Sequence, residues 1–226
     1  MSDRTFIIGD VHGCPKTLEG LISTFENFNQ KDRIIFLGDL IDRGPDSKAV
    51  LDIILSLKDN GNEVIILRGN HEQMMLNAMD NSKAMKDWFR NGGKATLDSF
   101  DVYHPGFIDD KYIDLLIQSR FYVQTDEFVI VHAGLNFNID NPLKDTDKMI
   151  SMRIDNCSKE KIGNRRIIVG HTPFNLEKIK LSLTSDIIRL DGGCVYYKQV
   201  QGLGFLVALE LNSMELYYLQ NIDFVS

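Results

Sequence analysis

The chain is poor in the features that mark several protein classes. Its 226 residues include three cysteines, Cys14, Cys157 and Cys194, with no CxxC spacing. An odd, scattered set excludes a disulfide framework and a cysteine zinc knuckle, and suits a reducing compartment. No apolar run reaches the roughly 20 residues of a membrane crossing. The opening Met1-Ser2-Asp3-Arg4 enters a strand pattern at once, without the basic and apolar segments of a secretory signal. Together these absences predict a cytoplasmic protein with no membrane partner. Lysine and arginine never run longer than two, and the formal charge is −7. Duplex nucleic acid demands a basic face, so it is excluded as a partner. No repeat, low-complexity tract or Pro/Ser-rich linker interrupts the sequence. Residues 1–226, 43% hydrophobic, therefore read as one domain with enough apolar content for a full core.

What is present is a set of short apolar runs. Thr5–Gly9, Arg33–Leu37 and Glu63–Leu67 read as strands. Between them lie an amphipathic helix over Lys16–Phe25 and another over about 46–59, and a third helix starts near Glu72. Alternation of strand and helix argues for parallel pairing. The middle, about 83–120, reads as helical with a break at Gly92-Gly93. Beyond Phe121 come strands near 121–124, 128–132, 166–170, 187–190, 204–211 and 214–219, with little helix between them and Asn212-Ser213 as a hairpin turn. This pattern predicts an α/β (α+β) architecture: a βα half, a mostly antiparallel half, and two packed sheets with helices outside. The aperiodic stretch 136–165 is expected to be a loop over the site.

Four of the five histidines, His12, His71, His132 and His171, end such runs. Asp10, Asp39 and Asn70 sit in the same kind of position. In parallel α/β sheets the carboxyl ends of strands are where ligands bind. Asp10 and His12, two residues apart in extended chain, project from one face as a single metal requires. Mixed imidazole and oxygen donors suit Mn²⁺, Fe or Zn²⁺ better than Ca²⁺. Six donors exceed the need of one tetrahedral ion, and a shared carboxylate can hold two ions about 3.5–4 Å apart. Taken singly, a histidine after a strand is ordinarily structural, and a Gly-Asp pair is ordinarily a turn or helix cap. Convergence on one edge is what argues for a metal pair. His104 lacks the strand context and reads as structural. Cys14 and the Tyr196-Tyr197 pair flank the motifs, and core packing is their ordinary role.

Gly9-Asp10-Val11-His12-Gly13, Gly38-Asp39-Leu40-Ile41-Asp42-Arg43-Gly44 and Arg68-Gly69-Asn70-His71-Glu72 resemble the three signature blocks of the phosphoprotein phosphatase family. This is the branch of the calcineurin-like metallophosphoesterases that includes small bacterial and phage serine/threonine phosphatases. His132-Ala133-Gly134, Gly170-His171-Thr172-Pro173 and Asp191-Gly192-Gly193-Cys194-Val195 resemble its later blocks, in order. The resemblance implies a central sandwich of two mixed sheets flanked by helices. It also implies two divalent ions, foremost Mn²⁺: Asp10 and His12 on the first, Asp39 bridging, and Asn70, His132 and His171 on the second. It implies in-line attack on phosphorus by a hydroxide held between the ions, with no phosphoenzyme. His71, held by Asp42, would protonate the leaving group, and Arg43 would bind phosphate oxygens with its planar fork. A second phosphate-binding arginine is expected between the fourth and fifth blocks, with Arg153 first and Arg165 and Arg166 as rivals. Arg68 reads as structural.

The expected substrate is a phosphorylated protein, at phosphoserine or phosphothreonine, or a small aryl phosphate. The alternative is symmetrical hydrolysis of bis(5'-nucleosyl)-tetraphosphates. Such relatives usually carry Ala at the position of Asp42 and LGNHD in the third block, so Asp42 and Glu72, together with the modest chain length, favour a phosphomonoesterase. A non-catalytic interaction scaffold is the third reading, against which every ligand and the acid histidine are retained.

Overall fold

The computed structural model describes residues 4–224, so the leaderless start read from Met1, Ser2 and Asp3 lies outside the described residues. In chain order the elements are β1 (Thr5–Ile8), α1 (Pro15–Ile22), β2 (Arg33–Phe36), α2 (Ser47–Asp59) and β3 (Glu63–Ile66). Then come α3 (Asn70–Ala78), α4 (Ser82–Arg90), α5 (Gly93–Ser99) and α6 (Asp110–Ile117). β4 (Tyr122–Gln124), β5 (Phe128–Val131), α7 (Thr146–Met149), β6 (Arg166–Val169), α8 (Leu176–Ser182) and β7 (Ile187–Arg189) follow, and β8 (Phe205–Glu210) and β9 (Glu215–Gln220) close the chain.

The first sheet runs β3-β2-β1-β8-β9 and the second β4-β5-β6-β7. Both are mixed. β1, β2 and β3 pair in parallel through α1 and α2, and the β8–β9 hairpin adds antiparallel to β1. Successive side chains of a strand point to opposite faces, and that alternation builds three layers of core. Phe6, Ile8, Ile34 and Phe36 pack under the helices with Leu18, Leu21, Val50, Ile54 and Trp88. Ile7, Ile35 and Leu37 face the other way, against Phe128, Ile130, Ile168 and Ile188 of the second sheet. Val129, Val131, Ile167 and Val169 cover that sheet's outer face with Met149, Ile154 and Ile162. Continuous apolar runs, not alternating ones, are what strands buried on both faces require.

Four expectations need correction. The half beyond Phe121 is mixed rather than mostly antiparallel: β4–β5 and β8–β9 are antiparallel, but β5–β6 and β6–β7 are parallel. The crossovers that parallel pairing demands are α8 and the long segment 136–165, neither of which has a strong helical period. α1 stops at Ile22, short of Phe25, because Ser23 and Thr24 hydroxyls bond back to the Gly20 and Leu21 carbonyls and compete with the helix ladder. α3 begins at Asn70, ahead of Glu72, because the Glu72 carboxylate accepts the Gly69 N–H and so closes the helix start. Segment 136–165 holds short 3₁₀ turns and α7 rather than bare loop. Among the described residues no helix is long and apolar enough to cross a membrane.

Candidate active site

The parallel strands of both sheets end on a common edge. Asp10, Asp39 and Asn70 follow β1, β2 and β3, while His132 and His171 follow β5 and β6. The two edges are stitched together directly. The His132 ring donates from Nδ1 to the Leu37 carbonyl (2.9 Å), and the His171 N–H donates to both oxygens of Asp10 (3.0 and 3.1 Å).

Asp39 is the centre of the cluster. Its Oδ2 lies 3.7 Å from His12 Nε2 and 3.5 Å from His132 Nε2. His132 Nε2 is in turn 3.3 Å from Asn70 Oδ1 and 3.2 Å from His171 Nδ1. Asp39, His12 and His71 form one group of possible metal donors within 4.8 Å of one another, and Asp39, His132 and His171 form a second. His12 donates from Nδ1 to the Ile41 carbonyl (2.9 Å), just as His132 does to Leu37. Such outer bonds fix each ring's tautomer and turn the Nε2 lone pair inward, as metal-binding histidines require. Asp10 is buried beside this cluster but belongs to neither three-residue group.

The backbone is strained here. Among the described residues ten non-glycine residues have positive φ, and His12, Asp39, Asp42, Arg43 and His171 are five of them. Such conformations cost about 1–3 kcal/mol each and persist where surrounding structure enforces them, typically at functional sites. Gly69 shows the crowding: a Cβ there would run into the Asp39 side chain.

Electrostatics separate the four histidines. Burial pushes His12 and His132 below the ordinary imidazole range, and burial with the neighbouring His132 takes His171 down to about 4. Each shift favours the neutral form, which can donate a lone pair. Burial acts against the His71 cation too, but the Asp39 charge and the Asp42 hydrogen bond outweigh it and raise its pKa. Asp39 also loses to burial, yet His132, His71 and His12 reverse the effect and hold its carboxyl below the usual range. Burial and the nearby Asp39 raise Glu72 to about 7, and burial raises Asp191 to about 7.

His71 is built for a different task. Its Nδ1 meets Asp42 Oδ2 at 2.6 Å, and its Nε2 is the buried side-chain nitrogen or oxygen left without a partner among the described residues. Asp42, fully buried, is held by groups that the sequence did not flag. Trp88, the single tryptophan, donates from Nε1 to Asp42 Oδ2 (2.7 Å), and Thr96 donates to Oδ1 (2.6 Å). The Gly92-Gly93 break between α4 and α5 makes this possible. A Cβ on Gly93 would run into the Trp88 indole, and one on Gly92 would come within 2.7 Å of Arg43 Cγ. A lone tryptophan followed by a glycine pair was the available signal.

Arg43 is half-buried, donates from Nη1 to His12 Nε2 (2.8 Å), and lies 5.7 Å from the Tyr196 ring centroid. Arg153 is exposed, and its charge contributes to the lowered pKa of His171. Its rivals are occupied elsewhere: Arg165 donates to the Thr125 and Ile162 carbonyls, and Arg166 to those of Leu183 and Ser185. Arg68 likewise holds the Leu116 and Ile117 carbonyls, and His104 Nδ1 accepts the Gly106 N–H at a turn. Cys14 packs in the helix-side core beside Asn221 and Cys194. Glu72 is fully buried and accepts the N–H groups of Asp39, Leu40 and Gly69 (2.8–2.9 Å). Its identity therefore bears on how Asp39 is held and does not report the substrate.

A family model described as calcineurin-like phosphoesterase matches residues 4–206. The asymmetrical bis(5'-nucleosyl)-tetraphosphatase PrpE of Oceanobacillus iheyensis is 25% identical over 224 residues, covering 88% of this chain and 87% of that protein. Serine/threonine-protein phosphatase 1 of Salmonella typhimurium is 38% identical over 90 residues, 40% of this chain and 39% of that protein. The symmetrical bis(5'-nucleosyl)-tetraphosphatase of Vibrio cholerae is 32% identical over 132 residues, 58% of this chain and 44% of that protein. A crystal structure of a candidate diadenosine tetraphosphatase superposes with a TM-score of 0.70 at 20% identity, covering 98% of this chain and 95% of that chain. That likeness speaks to the fold alone.

Proposed function

The chain belongs to the calcineurin-like phosphoesterase family, and we propose that it is a two-metal phosphohydrolase that cleaves dinucleoside polyphosphates. The observation that carries the metal assignment is Asp39 Oδ2, set between His12 Nε2 and His132 Nε2. Asp10 and His12 would hold the first ion, Asp39 both, and Asn70, His132 and His171 the second, with Mn²⁺ the first candidate. The donor set fits: neutral imidazoles, a shared ionised carboxylate and an amide oxygen. Two such ions supply positive charge at the phosphoryl oxygens and acidify water toward neutral pH. The chain's own residues do the rest. Arg43 and Arg153 bind phosphate oxygens, and His71 carries a proton on Nε2 for the leaving oxygen while Asp42 fixes its ring. The net charge of −7 makes these local cations necessary for an anionic substrate.

The substrate class is supported by the relative aligned over most of both chains, which is a bis(5'-nucleosyl)-tetraphosphatase. That relative is of similar size and of the asymmetrical kind, whereas the symmetrical enzyme of Vibrio cholerae is longer, 58% of this chain matching 44% of it. The second reading, a phosphomonoesterase acting on phosphoserine or phosphothreonine, is favoured by the His71–Asp42 pair, because an alkoxide leaving group has most need of an acid. The deciding measurement is kcat/KM of the Mn²⁺-loaded protein on diadenosine tetraphosphate, a phosphoserine peptide and p-nitrophenyl phosphate. The dinucleotide is expected to lead. A leading phosphopeptide would replace this reading with the second, and silence on all three would favour a scaffold.

Trp88→Phe tests the support of the acid. It deletes one hydrogen bond to a charged group, worth about 1.5–3 kcal/mol, while keeping most of the ring. The expected result is a fall in kcat of about tenfold or more with a smaller change in KM. A change confined to KM or to the melting temperature would leave Trp88 with packing alone.

A further inference from the structure

Beyond His132 the chain leaves β5 as Ala133-Gly134-Leu135, and Met152–Ile154 lies directly against it. The Ala133 N–H donates to the Met149 carbonyl (2.8 Å), and a Cβ on Gly134 would come within 2.8 Å of the Met152 carbonyl oxygen. Between these runs opens a cavity of about 310 Å³ whose lining includes Leu135, Phe137, Asn138, Met152, Arg153 and Asn156. We propose that this cavity is a nucleobase subsite that takes one purine of the substrate, Phe137 and Met152 packing on its face and the Asn138 and Asn156 carboxamides meeting its edge. The proposal rests on the dinucleotide reading above.

The shape and chemistry suit a base better than a peptide. The volume falls at the lower end of small-ligand pockets. Leu135 is fully buried, Phe137 and Met152 are half-buried, and both asparagines are exposed. Apolar side chains and carboxamides thus share one lining. Every base has a π-face for an aromatic ring to stack on, and a carboxamide pairs in bidentate fashion with the adenine edge. Asp155, the acid of this rim, extends into solvent and lies 3.5 Å from the Arg189 guanidinium. Arg153 lines the cavity, and its two neighbours Met152 and Ile154 pack against Gly134, two residues beyond His132. A polyphosphate leaving the metal centre toward the cavity would therefore pass a cation on its way.

Calorimetry on the Mn²⁺-loaded protein separates this from the catalytic reading, because it needs no turnover. Adenosine monophosphate and ribose 5-phosphate share the phosphate and sugar and differ in the base. The nucleotide is expected to bind about five- to a hundredfold more tightly, the range that base–aromatic stacking carries. Phe137→Ala should bring that ratio close to one, and Phe137→Tyr should restore it. Equal affinities in the wild type, or a ratio that survives Phe137→Ala, would overturn the subsite. Failure to hydrolyse diadenosine tetraphosphate would instead count against the function proposed above.

Discussion

Replacing His71 by asparagine is expected to lower turnover by about 10²–10⁴-fold, the range carried by a positioned acid, and to leave bound metal unchanged. The imidazole is poised for one proton transfer. Nδ1 is committed to Asp42 at 2.6 Å, Nε2 has no partner among the described residues, and the pKa is raised while those of the other three site histidines are lowered. The size of the loss should follow the leaving group. A nucleotide leaves as a phosphate, whose second ionisation lies near pH 6, so it needs little help from an acid. A serine alkoxide needs much more. The variant should thus lose least on diadenosine tetraphosphate and most on a phosphoserine peptide, with p-nitrophenyl phosphate nearer the first. Metal content, measured on the same preparations, provides the second readout. His71 lies in one donor group with His12 and Asp39, so a variant that loses an ion would make His71 a ligand rather than the acid.

The sequence was most legible where a residue's role is set by its place on a strand. The short apolar runs located all nine strands of the described residues, and Asp10, His12, Asp39, Asn70, His132 and His171 stand at strand ends because chain direction alone carries those positions to one edge. It was least legible where the role depends on a partner far away in sequence. Trp88 is 46 residues from Asp42 and Thr96 is 54. Nothing in a helix with an exposed face announces that its one buried indole donates to a carboxylate. The parallel order of the second sheet was hidden for a similar reason. Parallel strands need crossovers, and here one is the short α8 and the other an irregular stretch without helical period. Glu72 misled more directly. Its difference from the LGNHD block suggests a phosphomonoesterase, whereas its hydrogen bonds end on three main-chain N–H groups.

Manganese is expected to raise the melting temperature steeply, and Asp39→Asn to remove most of that rise. Four carboxylates, Asp10, Asp39, Glu72 and Asp191, are each at most 4% exposed. They crowd one another: burial and then Asp191 and Asp39 raise Asp10 well above the usual range. An ion at 100 times its Kd adds about 2.7 kcal/mol per site. For a chain of this size that corresponds to about 5–10 °C per site. Asp39 is common to both donor groups, so one neutral substitution of equal volume would take a donor from each. A rise that persists in full in Asp39→Asn would remove Asp39 from the bridging position. The pH dependence has a definite sign. Glu72 and Asp191 have folded pKa values near 7 against reference values of 4.5 and 3.8. Their neutral forms are favoured by folding, so the stability they lend the metal-free protein is complete below about pH 4 and is lost as pH climbs through about 7. Metal binding also requires deprotonated ligands, so both effects run the same way. The manganese-induced rise should therefore be larger at pH 8 than at pH 5.5, and a rise that shrinks with increasing pH would contradict a buried acidic cluster relieved by cations.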